Sequence, residues 1–167
     1  DALFEVISDG GIISFTRNGS VIRVVTYDDN DEAFTSMIGF TYKGSSATTI
    51  VEGINPIPCM VNFMKGNNPS DWIIGASTYG TLRYSDLYPG IDLIYAGAED
   101  GIKSTFIVKP GANPADISMQ FSGHENIDVG KEGTLIINTE AGPLTQSAPY
   151  CYQEIDGKRV EVSGTYF

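Results

Sequence analysis

Histidine is nearly absent from this chain, cysteine is scarce, and no long hydrophobic run occurs. A single His124 and two cysteines with no Cys-x-x-Cys leave the usual zinc and redox motifs without their parts. No serine or cysteine sits in a nucleophile-elbow context such as Gly-x-Ser-x-Gly. His124 lies in the turn-like stretch Ser122–Asn126 and is expected to be exposed. No catalytic constellation is recognisable, and none is expected. No apolar stretch reaches the roughly 18 residues of a membrane-spanning helix, so direct membrane insertion is not expected. Positive charge is also short: 10 basic residues face 21 acidic ones, for a net charge of −11. Such a surface repels phosphate backbones and anionic lipid, which argues against nucleic acid as a partner. It suits solubility at a crowded cell exterior. No signal peptide is seen, and a chain opening at Asp1 without Met is expected of a mature or excised segment.

Glycine and aromatic residues are plentiful: 19 Gly, 9 Tyr and 8 Phe in 167 residues. That profile suits many short strands joined by tight turns. Ile12–Arg17 and Ser20–Thr26 flank Asn18-Gly19, which predicts a hairpin with a type I′ turn. Strands are also expected at Met37–Tyr42, Ala47–Val51, Cys59–Phe63, Tyr79–Tyr84, Ile91–Ala96 and Gly101–Lys109. Further short strands are expected around Ile117–Phe121, Ile127–Val129, Thr134–Asn138, Leu144–Gln146, Tyr150–Ile155 and Arg159–Phe167. Tyr88-Pro89-Gly90 carries the type II signature, and Asp156-Gly157 marks another hairpin. Asn55-Pro56-Ile57-Pro58 is read as resisting regular structure, since each proline lacks an N–H. Pro69–Trp72 and Pro114–Asp116 are candidates for single helical turns. No segment of ten residues keeps a helical period. The expected fold is all-β, an antiparallel β-sandwich of many short strands with at most one or two single-turn helices. Residues 1–167 read as a single such domain, a module or fragment of a longer surface protein.

Several residue groups are candidate sites, each set against a plainer role. Asp28, Asp29, Asp31 and Glu32 offer the hard oxygen ligands that Ca²⁺ takes, without the spacing of the EF-hand loop. The plainer reading is a solvated hairpin loop. Asp86 and Asp92 flank the Tyr-Pro-Gly turn, where glycosidase carboxylates or turn hydrogen bonding are the alternatives. Trp72, Tyr79, Tyr84 and Tyr88, with Tyr95, would form a carbohydrate platform if exposed and a core if buried. Asn18-Gly19-Ser20 matches the N-glycosylation pattern at a hairpin tip. Cys59 and Cys151 have three readings: one disulfide, two buried thiols, or a cross-link between chains. A disulfide closing so long a loop would stabilise by roughly 4–5 kcal/mol in the chain-entropy picture.

Four segments carry a resemblance: Val61–Trp72, Thr78–Tyr95, Phe106–Ile117 and Gln146–Val160. In this order they resemble an uncharacterised extracellular domain of archaeal and bacterial cell-surface proteins. That domain precedes SBBP-type β-propeller repeats and PKD-like modules. The resemblance covers roughly residues 11–166. It implies an all-β module at the cell surface and no known catalytic residues. The family's leading segment and its closing extended segment are missing from this chain, and both cysteines are additions to the pattern, which favours a disulfide. A sandwich without its closing strand leaves an open edge that a neighbouring copy or domain can fill. The expected function is a structural or interaction module that assembles as a sheath, S-layer or filament. The alternative is an adhesin-like module for carbohydrate or another surface ligand.

Overall fold

The computed structural model describes residues 1–8, 10–99 and 101–166. Among them, fourteen strands and two 3-10 turns follow one another. In order, the strands are β1 (Phe4–Ser8), β2 (Gly11–Thr16), β3 (Gly19–Tyr27), β4 (Ala33–Tyr42), β5 (Ile50–Phe63), β6 (Ile73–Tyr88) and β7 (Ile91–Ala98). They continue as β8 (Gly101–Val108), β9 (Met119–Ser122), β10 (Asn126–Val129), β11 (Leu135–Asn138), β12 (Leu144–Gln146), β13 (Cys151–Ile155) and β14 (Lys158–Val162). All pairings whose register is resolved are antiparallel. The all-β reading of the sequence holds, and the only helical pieces among the described residues are the single turns Pro69–Asp71 and Pro114–Asp116.

The chain forms two compact units. The first comprises Asp1–Leu3, Thr16–Gly19 and Thr41–Met119. It holds the four-stranded sheet β5-β6-β7-β8. Its core is Tyr42, Leu82, Tyr84, Leu87, Tyr88, Ile91 and Leu93, all buried. Leu82 and Tyr84 are alternate residues of one strand, so a period of two puts both on one face. Three of the tyrosine rings meet edge to face: Tyr42 on Tyr84, and Tyr84 on Tyr95, with centroids 6.0 and 6.1 Å apart. That is the geometry the aromatic quadrupole prefers.

The second unit comprises Phe4–Phe15, Ser20–Phe40 and Gln120–Phe167. Most of the five-stranded sheet β1-β2-β3-β4-β9 lies here, with the small sheet β10-β11-β12 and the hairpin β13-β14. Ile38, Leu135 and Ile137 form its core, with Phe40, Phe121, Ile127, Leu144 and Tyr166 packed around them. Phe40 and Phe121 meet at a 4.9 Å centroid distance. Residues 163–166 carry no strand, and Phe167 of the expected final strand lies outside the described residues.

Two of the expected turns are formed as read. Pro89-Gly90 links Tyr88 to its partner Ile91, with Gly90 at φ 71°, the positive value that position i+2 of a type II turn requires. Asp156 and Gly157 both have positive φ between the paired residues Ile155 and Lys158, a two-residue type I′ hairpin. The two 3-10 turns share the pattern Asn-Pro-x-Asp. Asn68 and Asn113 each cap one, accepting from the N–H two residues on and donating to the aspartate three residues on.

Three local readings are corrected. The turn between β2 and β3 is made by Arg17 and Asn18, one position before the Asn-Gly pair, and neither Asn18 nor Gly19 is among the positive-φ residues described. Tertiary bonds fix this tip. Tyr84 donates its hydroxyl to Thr16 O at 2.8 Å, Tyr42 N–H donates to Asn18 O at 2.9 Å, and Arg17 donates to Thr49 O at 3.1 Å. Ala47 and Thr48 form a turn instead of a strand, which begins only at Ile50. There Thr49 is buried and returns its hydroxyl to Ser46 O at 2.8 Å. Asn55–Pro58 lies inside the longest run of β5. β5 is an edge strand of its sheet, where a proline's missing N–H breaks no ladder, and Asn55 takes φ 55° to absorb the irregularity.

Candidate functional site

The carboxylate pair beside the Tyr-Pro-Gly turn is a fixed ion network. Asp92 is 2% exposed, and each of its oxygens is engaged. Oδ1 accepts from Asp86 N–H at 2.8 Å and from Lys109 Nζ at 3.1 Å, while Oδ2 accepts from Arg83 Nη2 at 2.7 Å. Lys109 reaches Asp86 as well, at 3.0 Å. Burial pushes the Asp92 carboxyl up, but the Asp86 N–H, Arg83 and Lys109 outweigh it and hold the pKa at about 2. Asp86 supplies its backbone from φ 49°, within an irregular stretch of the β6–β7 ladder. A carboxylate held ionised in this way has no proton to give. Asp92 is therefore not placed to serve as the acid that glycoside hydrolysis needs.

The aromatic residues separate into two groups. Tyr84 and Tyr88 are buried, which removes them from any exposed platform. Tyr88 donates its hydroxyl to Ser118 O at 2.8 Å, Tyr84 is committed to Thr16, and the Tyr42 and Tyr95 hydroxyls bond each other. Burial raises the pKa of all four phenols. Their placement in the core was open to them because each polar end finds an oxygen partner. Trp72 is half-buried, its indole N–H donating to Gly66 O at 3.2 Å. Tyr79 is exposed, and its ring lies over Gly53 of the neighbouring strand, where a side chain would collide with it.

The acidic loop folds on itself. Asp28 Oδ1 accepts from Asn30 N–H at 2.8 Å and Glu32 N–H at 2.9 Å, and these bonds lower its pKa. Among the described residues no three His, Cys, Asp or Glu side chains converge as a metal-ligand group, so Asp28, Asp29, Asp31 and Glu32 are not brought together as one. Asn18 is exposed at its hairpin tip, while Ser20 of the same triplet is buried. Both cysteines are free thiols in this structure. Cys59 is exposed on β5 in the first unit, and Cys151 is half-buried on β13 in the second, packed against Gly164. His124 is half-buried instead of exposed, with Nδ1 shielded from solvent and unpartnered.

The feature that sequence reasoning missed is the length of β5 and β6. β6 pairs with β7 only from Thr81 onward, while its pairing with β5 continues to Ile73. From Gly53 to Gly80 the chain is therefore a two-stranded arm running past the end of β7. Ile57, Met60, Val61, Met64, Ile73, Ile74 and Tyr79 are all exposed along it. A cleft of about 490 Å³ opens among Ile57, Cys59, Met60, Thr78 and Tyr79. Only Lys65 and Asp71 carry charge between Gly53 and Gly80. The two prolines of β5 masked this arm, because they were read as breaking a strand.

The fold and this surface define an all-β antiparallel module with an apolar strand pair exposed. A protein-family model described as a domain of unknown function, DUF7948, matches residues 1–167, and the chain belongs to that family. No curated protein and no solved structure matches the chain.

Proposed function

We propose that the chain is a non-catalytic structural and interaction module of a cell-surface protein, holding neighbouring copies or domains together through exposed strand edges in a sheath, S-layer or filament. The β5–β6 arm carries this reading. A two-stranded ribbon is marginal in water by itself. This one leaves seven large apolar side chains exposed. Exposed apolar surface of that kind marks an interaction site. The resemblance to domains beside SBBP-type repeats supports an extracellular setting.

Sedimentation velocity of the intact chain over a wide concentration range tests the proposal. A mass rising above the 18.0 kDa monomer is expected. Replacing Asn55–Gly80 by a short turn should abolish that rise. A strictly monomeric species at all concentrations would contradict the reading.

A second reading, a carbohydrate- or surface-ligand-binding module, is favoured by one observation: the cleft beside the exposed Tyr79. It has lost Tyr84 and Tyr88 to the core. Saturable binding of a glycan that Tyr79→Ala removes would favour it over self-association.

A further inference from the structure

We propose that Asn18 is the attachment point of an N-linked glycan, added to the chain before the β2–β3 hairpin closes. The inference rests on the extracellular setting proposed above and names a modification of that surface. Nine asparagines occur in the sequence, and two of them have Ser or Thr two places on. Asn68-Pro69-Ser70 has the central proline that excludes the reaction, which leaves Asn18-Gly19-Ser20.

A three-residue pattern recurs by chance, but the state of the side chain sets Asn18 apart. Asn30, Asn55, Asn68, Asn113, Asn126 and Asn138 each donate the amide nitrogen to a neighbouring oxygen. Asn62 and Asn67 do not, and neither is followed by the required hydroxyl. At Asn18 only Oδ1 is engaged, accepting from Thr16 Oγ1 at 3.4 Å, and Nδ2 makes no hydrogen bond among the described residues. That nitrogen is the atom a glycan takes. Asn18 is exposed, and the contact that fixes it to the core is made by its main chain, whose carbonyl accepts from Tyr42 N–H at 2.9 Å. A substituent on Nδ2 leaves this bond in place.

The reaction is a group transfer. The Asn18 nitrogen attacks the anomeric carbon of a sugar carried on a polyprenyl diphosphate. The bond from that carbon to the diphosphate oxygen breaks, and the polyprenyl diphosphate leaves with the bonding pair. One amide proton passes to a base of the transferase, and the product is a neutral N-glycosyl amide.

Ser20 sets the order of events. A transferase that reads the pattern must meet the hydroxyl of Ser20 together with the amide of Asn18. In the folded hairpin Ser20 is 6% exposed, and Gly19 is buried beside it. Gly19 O accepts from Thr16 Oγ1 at 3.1 Å and from the Tyr84 hydroxyl at 3.3 Å, which fastens this side of the turn. Asn18 and Ser20 are presented together only while the chain is extended. Folding then buries Ser20 and leaves the modified amide in water.

Peptide mass spectrometry of the protein isolated from the cells that make it tests the assignment. The peptide holding Asn18 should carry one glycan. In the same cells Asn18→Gln and Ser20→Ala should each remove it, and Ser20→Thr should keep it, with the far-UV spectrum unchanged as a check on folding. Purified transferase with its lipid-linked sugar tests the order. A peptide of residues 13–23 should be modified at least about tenfold faster than the folded chain, in which the site must first open locally. An exported protein with a bare Asn18, or with aspartate formed there by loss of the amide, overturns the inference and leaves the surface reading standing. Equal rates for peptide and folded chain overturn the order. A protein that stays in the cytoplasm of its own cells overturns both the inference and the surface reading.

Discussion

Asp92 is the residue on which most of the first unit's polar chemistry converges. Its pKa, held at about 2, lies below that of an unfolded aspartate. A depressed carboxyl contributes stability that is full above the unfolded value and is lost as pH falls toward the folded one. The window is therefore about pH 4 down to about pH 2. Arg83 and Lys109 are partly solvent-exposed, which screens the effect, so the loss across that window should be roughly 1–2 kcal/mol. Denaturant unfolding of the parent chain at each pH should show the loss, and Asp92→Asn should flatten it. The buried phenols act at the other end of the scale. Their raised pKa values mean that stability is full below about pH 10 and falls as pH rises further. Spectrophotometric titration should show Tyr42, Tyr84 and Tyr95 ionising only with unfolding. Tyr84→Phe should cost about 1 kcal/mol, because Thr16 O then loses its donor.

At the level of elements, turn chemistry was legible where it acts locally. Pro89-Gly90, Asp156-Gly157 and the two Asn-Pro-x-Asp caps form as their residues dictate. The Asn18 tip moved by one residue because three hydrogen bonds from residues distant in sequence outweigh a local preference worth less than they are. The prolines of β5 misled for a related reason. Proline excludes a central strand, but whether a strand is central is decided by topology, which no short window of sequence contains. The aromatic block posed the same difficulty, since Tyr79 and Tyr84 belong to one strand and end up on opposite sides of the exposed boundary. Gly53 explains part of that. The Tyr79 ring occupies the space a Cβ would need, with Cδ1 2.8 Å from that position. Gly53→Ala should therefore destabilise by roughly 1–3 kcal/mol. Tyr79→Ala in the same chain should recover much of the loss, as a double-mutant cycle by thermal unfolding would show.

For the whole molecule, charge and exposed apolar area oppose each other. A net charge of −11 keeps copies apart, while the arm offers a neutral surface on which they can meet. Salt should then strengthen association: raising NaCl from about 0.05 M to about 0.5 M screens the repulsion without breaking any ion pair at the contact. An interface built on salt bridges would weaken instead, and sedimentation across that series separates the two. The most direct test of the central claim is amide hydrogen exchange on Ile73–Gly80, read at low and high protein concentration. Protection of these amides should rise with concentration while that of Leu93 and Tyr95 in β7 stays constant. Exchange at Ile73–Gly80 that is fast and independent of concentration, in a sample that sedimentation shows to be associated, would contradict it.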